Sequence, residues 1–265
     1  MTTEATWLES MPAVYDRHLG AALFEPFARE LAGRAAALRP ARVLEVAAGT
    51  GIGTRRLRAA LPDAAILATD LNPAMVAAGA ERVPDVEWRA ADALDLGVPD
   101  GSVDLVACSF GVMFVPDKPG AFAEVARVLA PGGTLLFTAW DDVARSTFPA
   151  ALVTALAEVL PEQTPQFIER VPHGYADPAT IAVDVAAGSL AVQDLTTLTL
   201  TGEAPSARSL AEGFCLGTPL RFALELHGPL GELTDAIADR MTALLGEGPV
   251  RGDLTAHVVT ASRPA

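Results

Sequence analysis

Lysine is almost absent from this chain. Lys118 is the only one in 265 residues, and 19 Lys and Arg stand against 33 Asp and Glu, a formal charge of -14. So little basic surface cannot neutralise a row of phosphates, so neither nucleic acid nor an anionic membrane surface is an expected partner. Cysteine is scarce too: Cys108 and Cys215 are too few and too far apart for a disulfide framework, and no metal is expected. No run approaches the ~18 apolar residues of a membrane span, and the opening MTTEATWLES carries acids but no basic stretch ahead of an apolar core. These absences together predict a cytoplasmic chain. What is abundant is apolar: 51% of the residues are hydrophobic, enough for a sizeable core in one elaborated domain or one and a half.

The chain is organised around ARVLEVAAGTGIGTRRL, Ala41 to Leu57. Val43, Leu44 and Val46 make a short apolar run of the kind buried on both faces of a sheet, and it stops at a glycine-rich turn that opens a helix. Gly49 and Gly51 remove the Cβ atoms that would hold a ligand off the backbone. The first turn of the helix offers unpaired N–H groups and positive potential to a carboxylate or phosphate. Two acids then choose between ligands. Glu45, ahead of the glycines, suits an ammonium group and repels a pyrophosphate. Asp70, nineteen residues after Gly51 at the end of AAILATD, is placed to accept from ribose hydroxyls. An amino acid at one end and a nucleoside at the other describe S-adenosylmethionine.

On either side of this motif the pattern is α/β. Leu19, Leu23, Phe27 and Leu31 recur every four residues and predict one helix with one apolar stripe over Met11 to Leu38, carrying Tyr15 and His18 near its start. Asn72 followed by Pro73 predicts a capped helix that sets Leu71 and Met75 near whatever Asp70 holds. A strand from Val86 to Ala90 leads to Asp92 and Ala93, which can meet an adenine amino group and a ring nitrogen. Val103 to Ser109 is a further strand whose end, Ser109, Phe110 and Gly111, should border both cofactor and substrate. A helix with Phe122, Val125 and Leu129 on one face, a turn at APGG and the strand TLLFTAW follow. Ser146 is placed to cap the next helix, Asp177 and Pro178 open another, and Leu190 to Leu200 and Leu254 to Ala261 read as two last strands. The expected fold is a doubly wound, mostly parallel seven-stranded sheet. Its parts are an N-terminal helical lid over 1–40, a cofactor-binding core over 41–145, and a remainder over 146–265 with a substrate-capping helical insertion at about 201–253.

With these residues in view, the chain resembles class I S-adenosylmethionine-dependent methyltransferases, and among them the ubiquinone and menaquinone biosynthesis C-methyltransferases. VLEVAAGTG, ATDLNPAMV, AADAL, DGSVDLVACSFG and RVLAPGGTLLF carry the resemblance between Arg42 and Trp140. It implies that Glu45, Ala47, Gly49 and Gly51 surround the methionine part of the cofactor, that Asp70 binds the ribose and Asp92 lies at the adenine, and that Tyr15 and Asp16 fold over the cofactor. Ala47 stands where such enzymes usually have a first glycine. Val112, Met113 and Phe114 replace a polar pair facing the substrate, so a quinone acceptor does not carry over.

The function expected is methyl transfer to a small, partly apolar molecule by in-line displacement. A proton acceptor, where one is needed, is sought among the histidines of the lid and of the connection after the fifth strand, His18 and His173, with Tyr175 as an alternative and His257 structural. A binding protein that keeps the cofactor without transferring its methyl group is the other reading. A nicotinamide-dependent reductase fits less well: its short-chain form needs Tyr-x-x-x-Lys, and Phe114 stands four residues before Lys118.

Overall fold

The computed structural model describes residues 11–264, so the reading of the first ten residues lies outside the described part of the chain. Seven strands form one sheet in the order β3-β2-β1-β4-β5-β7-β6. They are β1 (Arg42–Val46), β2 (Ala65–Asp70), β3 (Glu87–Ala90), β4 (Val103–Ser109), β5 (Leu129–Trp140), β6 (Ala191–Ala204) and β7 (Val250–Ser262). The first five are parallel, and β7 runs antiparallel to β5, Phe137 opposite Val259. The strand order reverses between β1 and β4, which puts the ligand-binding crevice of such a sheet at their carboxyl ends.

The helices are α1 (Glu25–Leu38), α2 (Ile52–Ala60), α3 (Pro73–Arg82), α4 (Lys118–Val128), α5 (Thr147–Val159), α6 (Phe167–Arg170), α7 (Pro178–Ala187), α8 (Ala207–Gly217), α9 (Leu220–Glu225) and α10 (Leu230–Leu245). Local chemistry sets several of their starts. Asn72 accepts from the Ala74 N–H, and Asp177 from Ala179 and Thr180, each just ahead of a proline that has no donor to lose. Ser146 stands at the N-cap of α5 but does not cap it. Its hydroxyl accepts instead from the Thr255 N–H at 3.0 Å, a buried amide that would otherwise lack a partner.

Two expectations change in form. The APGG segment is a bulge inside β5 rather than a turn before it: Val103 pairs with Leu129 and Leu105 with Thr134, so four residues loop out and are tied back by bonds between Gly132, Gly133 and Arg263. The stripe of Leu19, Leu23, Phe27 and Leu31 is buried as expected, but Asp16–Phe24 is π-helix before α1 begins. The Glu25 N–H reaches back to the Gly20 carbonyl, and Pro26 has no N–H to give to Ala22, so the wider turn absorbs a proline that an α-helix would not.

The chain forms two compact units. One holds 27–141, 175–198 and 256–265, and its core joins Leu31 and Ala35 of α1 to Val43, Leu105, Leu136 and Val258 of the sheet and Leu57 of α2. The other gathers three separated segments, up to Pro26, Asp142–Gly174 and Thr199–Thr255. Within it Phe148, Leu152 and Leu156 of α5 and Leu210 and Phe214 of α8 are buried, as are Ile237 and Met241 of α10. Gly213 and Gly217, one turn apart on α8, let the N-terminal helix approach at backbone distance: a Cβ on Gly217 would stand 2.7 Å from the Tyr15 nitrogen, and one on Gly213 2.8 Å from the His18 Cβ.

Candidate functional site

The first unit carries the glycine turn at the switch point. Glu45 pairs with Ala68 of β2 on one side and Ala107 of β4 on the other, and is 1% exposed. Its Oε2 has no hydrogen-bond partner within the chain, and the Thr54 hydroxyl of α2 is its nearest polar neighbour. Burial pushes the Glu45 carboxyl up to about 8, the Thr54 hydroxyl pulls it back in part, and the charge of Asp70 adds to the rise. Oε1 lies so close to α2 that a Cβ on Gly53 would come within 2.4 Å of it, so this third glycine is present to admit the carboxyl.

From Ala47 to Gly51 the chain makes three left-handed turns, at Ala47 (φ 55°), Gly49 (φ 57°) and Gly51 (φ 87°). The two outer glycines differ in purpose. A Cβ on Gly51 would press on the Trp88 ring at 3.3 Å, whereas Gly49 has nothing within 4 Å and faces open space. No side chain caps α2. Asp70 ties the loop in place, its Oδ2 accepting from the Gly49 N–H at 2.8 Å and its Oδ1 from Asn72 at 2.9 Å. Burial raises the Asp70 carboxyl while these two donors pull it back down, and each oxygen keeps lone pairs for further donors.

Neighbouring positions extend the edge. Asp70 pairs with Ala90 of β3, so Asp92 and Ala93 follow two and three residues beyond that partner, and Asp92 turns the chain by accepting from Leu94. Leu71 is 69% exposed, and Met75 and Ser109 are half-buried. Glu45, Ala47, Gly49, Gly51, Asp70, Leu71, Met75, Asp92, Ala93 and Ser109 thus stand at the carboxyl ends of β1 to β4 or on the loops and helix that follow, all within the one unit.

Tyr15, His18 and His173 belong to the other unit. The Tyr15 ring stacks on Phe24 at 5.0 Å. His18 Nδ1 bonds to the Ser209 hydroxyl at 2.9 Å, with Glu212 at 3.8 Å. His173 is buried, and its backbone N–H donates to Ile168. Tyr175, in the first unit, is committed elsewhere than to base catalysis: its hydroxyl donates to Asp184 at 2.9 Å, burial raises it, and the Lys118 ammonium lies 4.8 Å from its ring centre. His257 is structural, bonded through Nδ1 to Thr197 and donating through Nε2 to the Ala176 carbonyl. Sequence reasoning missed Trp88 behind Gly51 and the Phe110–Trp140 stack, whose centroids lie 3.8 Å apart. The signal available was the SFG ending of β4, a large side chain beside a glycine.

A glycine turn at the switch point, a buried acid before it and a second acid closing the next strand form an arrangement whose chemistry suits a ligand with an ammonium group and a ribose. Residues 44–137 match the family model described as a methyltransferase domain. The chain is 43% identical over 104 residues to the ubiquinone/menaquinone biosynthesis C-methyltransferase of Methylobacterium nodulans, covering 37% of this chain and 41% of that protein. It is 36% identical over 138 residues to the demethylmenaquinone methyltransferase of Deinococcus radiodurans, covering 50% and 57%. The alignments therefore span about half the length of these relatives. Among solved structures, phosphoethanolamine N-methyltransferase 2 of Haemonchus contortus, a complex with S-adenosylhomocysteine, superposes with a TM-score of 0.61 at 14% identity, over 100% of this chain and 59% of that one, a likeness of fold. Among the described residues no helix is long and apolar enough to cross a membrane, and no group of His, Cys, Asp and Glu is arranged to hold a metal ion.

Proposed function

We propose that the chain transfers a methyl group from S-adenosylmethionine to a small, partly apolar acceptor. The observation that carries this reading is the buried Glu45 carboxyl, whose Oε2 has no partner, set two residues before Ala47 and four before the open face of Gly49, with Asp70 fixed on the same edge. A buried carboxyl left without a partner is costly unless a ligand supplies one, and an ammonium group is the natural complement. Glu45 holds that ammonium, Ala47 to Gly51 and the uncapped start of α2 hold the carboxylate, Asp70 the ribose, and Asp92 with the Ala93 N–H the adenine. Leu71 and Met75 give apolar contact, Ser109 borders the methyl end, and Tyr15 is assigned to the cofactor by resemblance alone.

When bound, S-adenosylmethionine supplies a methyl group on a positively charged sulfur, which needs no further activation. The chain has then to hold the acceptor atom in line and keep water out, a positioning effect worth several kcal/mol. The helical unit, which contains the insertion and lies wholly outside the matched family segment, chooses the acceptor. His18 and His173 are the candidates for taking a proton from acceptors that must lose one. Methyl acceptors that differ from the quinones named for the relatives are favoured by Val112 and Met113, which are buried and apolar at the end of β4.

Calorimetric titration with S-adenosylmethionine and with reduced nicotinamide tests the cofactor. Formation of S-adenosylhomocysteine over a panel of phenols, amines and apolar metabolites tests the transfer. Binding without turnover over a broad panel favours the binding-protein reading, and no binding refutes both.

A further inference from the structure

α3 carries a glycine where a helix has no conformational use for one. Gly79 is buried in the interior of Pro73–Arg82, and glycine there is less favourable to the helix than alanine. Space requires it: a Cβ on Gly79 would stand 2.2 Å from Cη2 of the Trp88 ring and 2.4 Å from Cζ3. The indole thus sits in a notch of α3, and its Nε1–H donates to the Val83 carbonyl at 3.1 Å, so the ring is fixed by shape and by a bond.

The same edge of the ring reaches the glycine turn. Cη2 and Cζ2 would each meet a Cβ on Gly51 at 3.3 Å, and the Val83 Cγ2 would meet it at 3.4 Å. Gly51 is the left-handed N-cap of α2, at φ 87° and ψ 20°, with no side chain capping the helix. β2 holds the turn through two bonds: the Thr69 carbonyl takes the Ala48 N–H at 2.9 Å, and Asp70 takes that of Gly49 at 2.8 Å. α3 and β3 hold it as well, since the Arg82 guanidinium donates to the Thr50 carbonyl at 3.4 Å while Trp88 backs Gly51. Gly49 and Gly51 give the turn much backbone freedom, and these contacts remove it before a ligand arrives.

We infer that Trp88 is a positioning residue for the donor: the indole, wedged between Gly79 and Gly51, holds the start of α2 in the orientation that presents its N–H groups to the donor's carboxylate. The inference rests on the donor-binding reading above. It adds to that site a side chain of β3, the strand at the edge of the sheet, which acts through Gly51. Loss of the indole leaves the turn tied by its β2 bonds but loose at Gly51, so that binding has to order it.

The test uses four proteins: the parent, Trp88→Leu, Gly79→Ala and the double variant. The readouts are Tm and the affinities for S-adenosylhomocysteine and for adenosine, which lacks the carboxylate. Trp88→Leu should weaken S-adenosylhomocysteine about tenfold, the effect of having to order one freed backbone residue, and leave adenosine binding unchanged. Gly79→Ala expels the ring from its notch and should weaken S-adenosylhomocysteine in the same selective way. On the Trp88→Leu background, Gly79→Ala should change neither affinity further and should raise Tm, because alanine then fills an empty notch in a helix. If either single variant binds S-adenosylhomocysteine like the parent, or loses adenosine equally, or if the two losses simply add, Trp88 is core packing and the inference is overturned. Should Trp88→Leu fail to fold, the ratio of the two affinities in Gly79→Ala decides alone. A parent that binds neither ligand refutes the donor site itself, whereas a parent that binds both, with the ratio unchanged in the variants, refutes only the role of Trp88.

Discussion

If Glu45 holds the donor's ammonium group as proposed, proton release becomes a direct readout of donor binding. In the free protein burial lifts its carboxyl to about 8, so at pH 7 about nine in ten molecules hold the proton. A ligand ammonium placed against the carboxyl favours the ionised form, and the proton leaves. Close to one proton should be released per donor bound well below pH 8, and progressively fewer as the pH passes about 8. Titration calorimetry in two buffers of different ionisation enthalpy measures this number. The same group shapes stability in the opposite sense from a salt-bridged carboxylate. Between the ordinary value near 4.5 and about 8 the folded protein holds a proton that the unfolded chain has lost, so stability falls as pH rises through that window. The whole fall is on the order of 5 kcal/mol for a carboxyl buried this deeply. Glu45→Gln should abolish the proton release, flatten the slope, and be more stable than the parent near pH 8. Equal proton release from parent and Glu45→Gln, or none from the parent while it binds tightly, would refute the reasoning.

Asp70→Ala removes both the ribose acceptor and the tie to the Gly49 N–H, and should weaken S-adenosylhomocysteine by about ten- to a hundredfold or more; an unchanged Kd withdraws the assignment. Cys108 and Cys215, both buried with thiols raised to about 12, should resist a thiol reagent at pH 8 until the protein unfolds; rapid labelling of the native chain would contradict their burial. His173→Asn or His18→Asn should lower kcat by about a hundredfold only for acceptors that must lose a proton, with donor affinity unchanged. Unaltered pH–rate profiles in both variants would leave positioning as the whole of catalysis.

The parts of the site that could be read from the sequence are those whose causes are local. Asn72 before Pro73, Asp177 before Pro178 and the acid closing ATD announce caps and strand ends within a few residues, and the structure places them so. Gly51 was legible as a turn residue, but the Trp88 ring that forbids a side chain there comes from a strand far along the chain. The need for glycine at 111 was hidden for the same reason: a Cβ there would lie 2.3 Å from that of Ala47, a contact that exists only where β1 and β4 end side by side. The four-residue spacing of Leu19, Leu23, Phe27 and Leu31 predicted the buried face correctly, while the π-helix depended on where Pro26 falls within that spacing.

The dependence of the N-terminal helix on α8 has a consequence for how the chain is made. The backbone around Tyr15 finds its seat against Gly217, and His18 finds Ser209, 191 residues further on. At synthesis rates of 5–20 residues per second, the helix waits roughly 10–40 s after leaving the ribosome before its partner exists. During that interval Leu19, Leu23 and their apolar neighbours lack the glycine-bearing face that later receives the helix. This segment is thus secured long after it is made, and the nascent chain presents an apolar stripe for chaperones to cover until α8 has emerged.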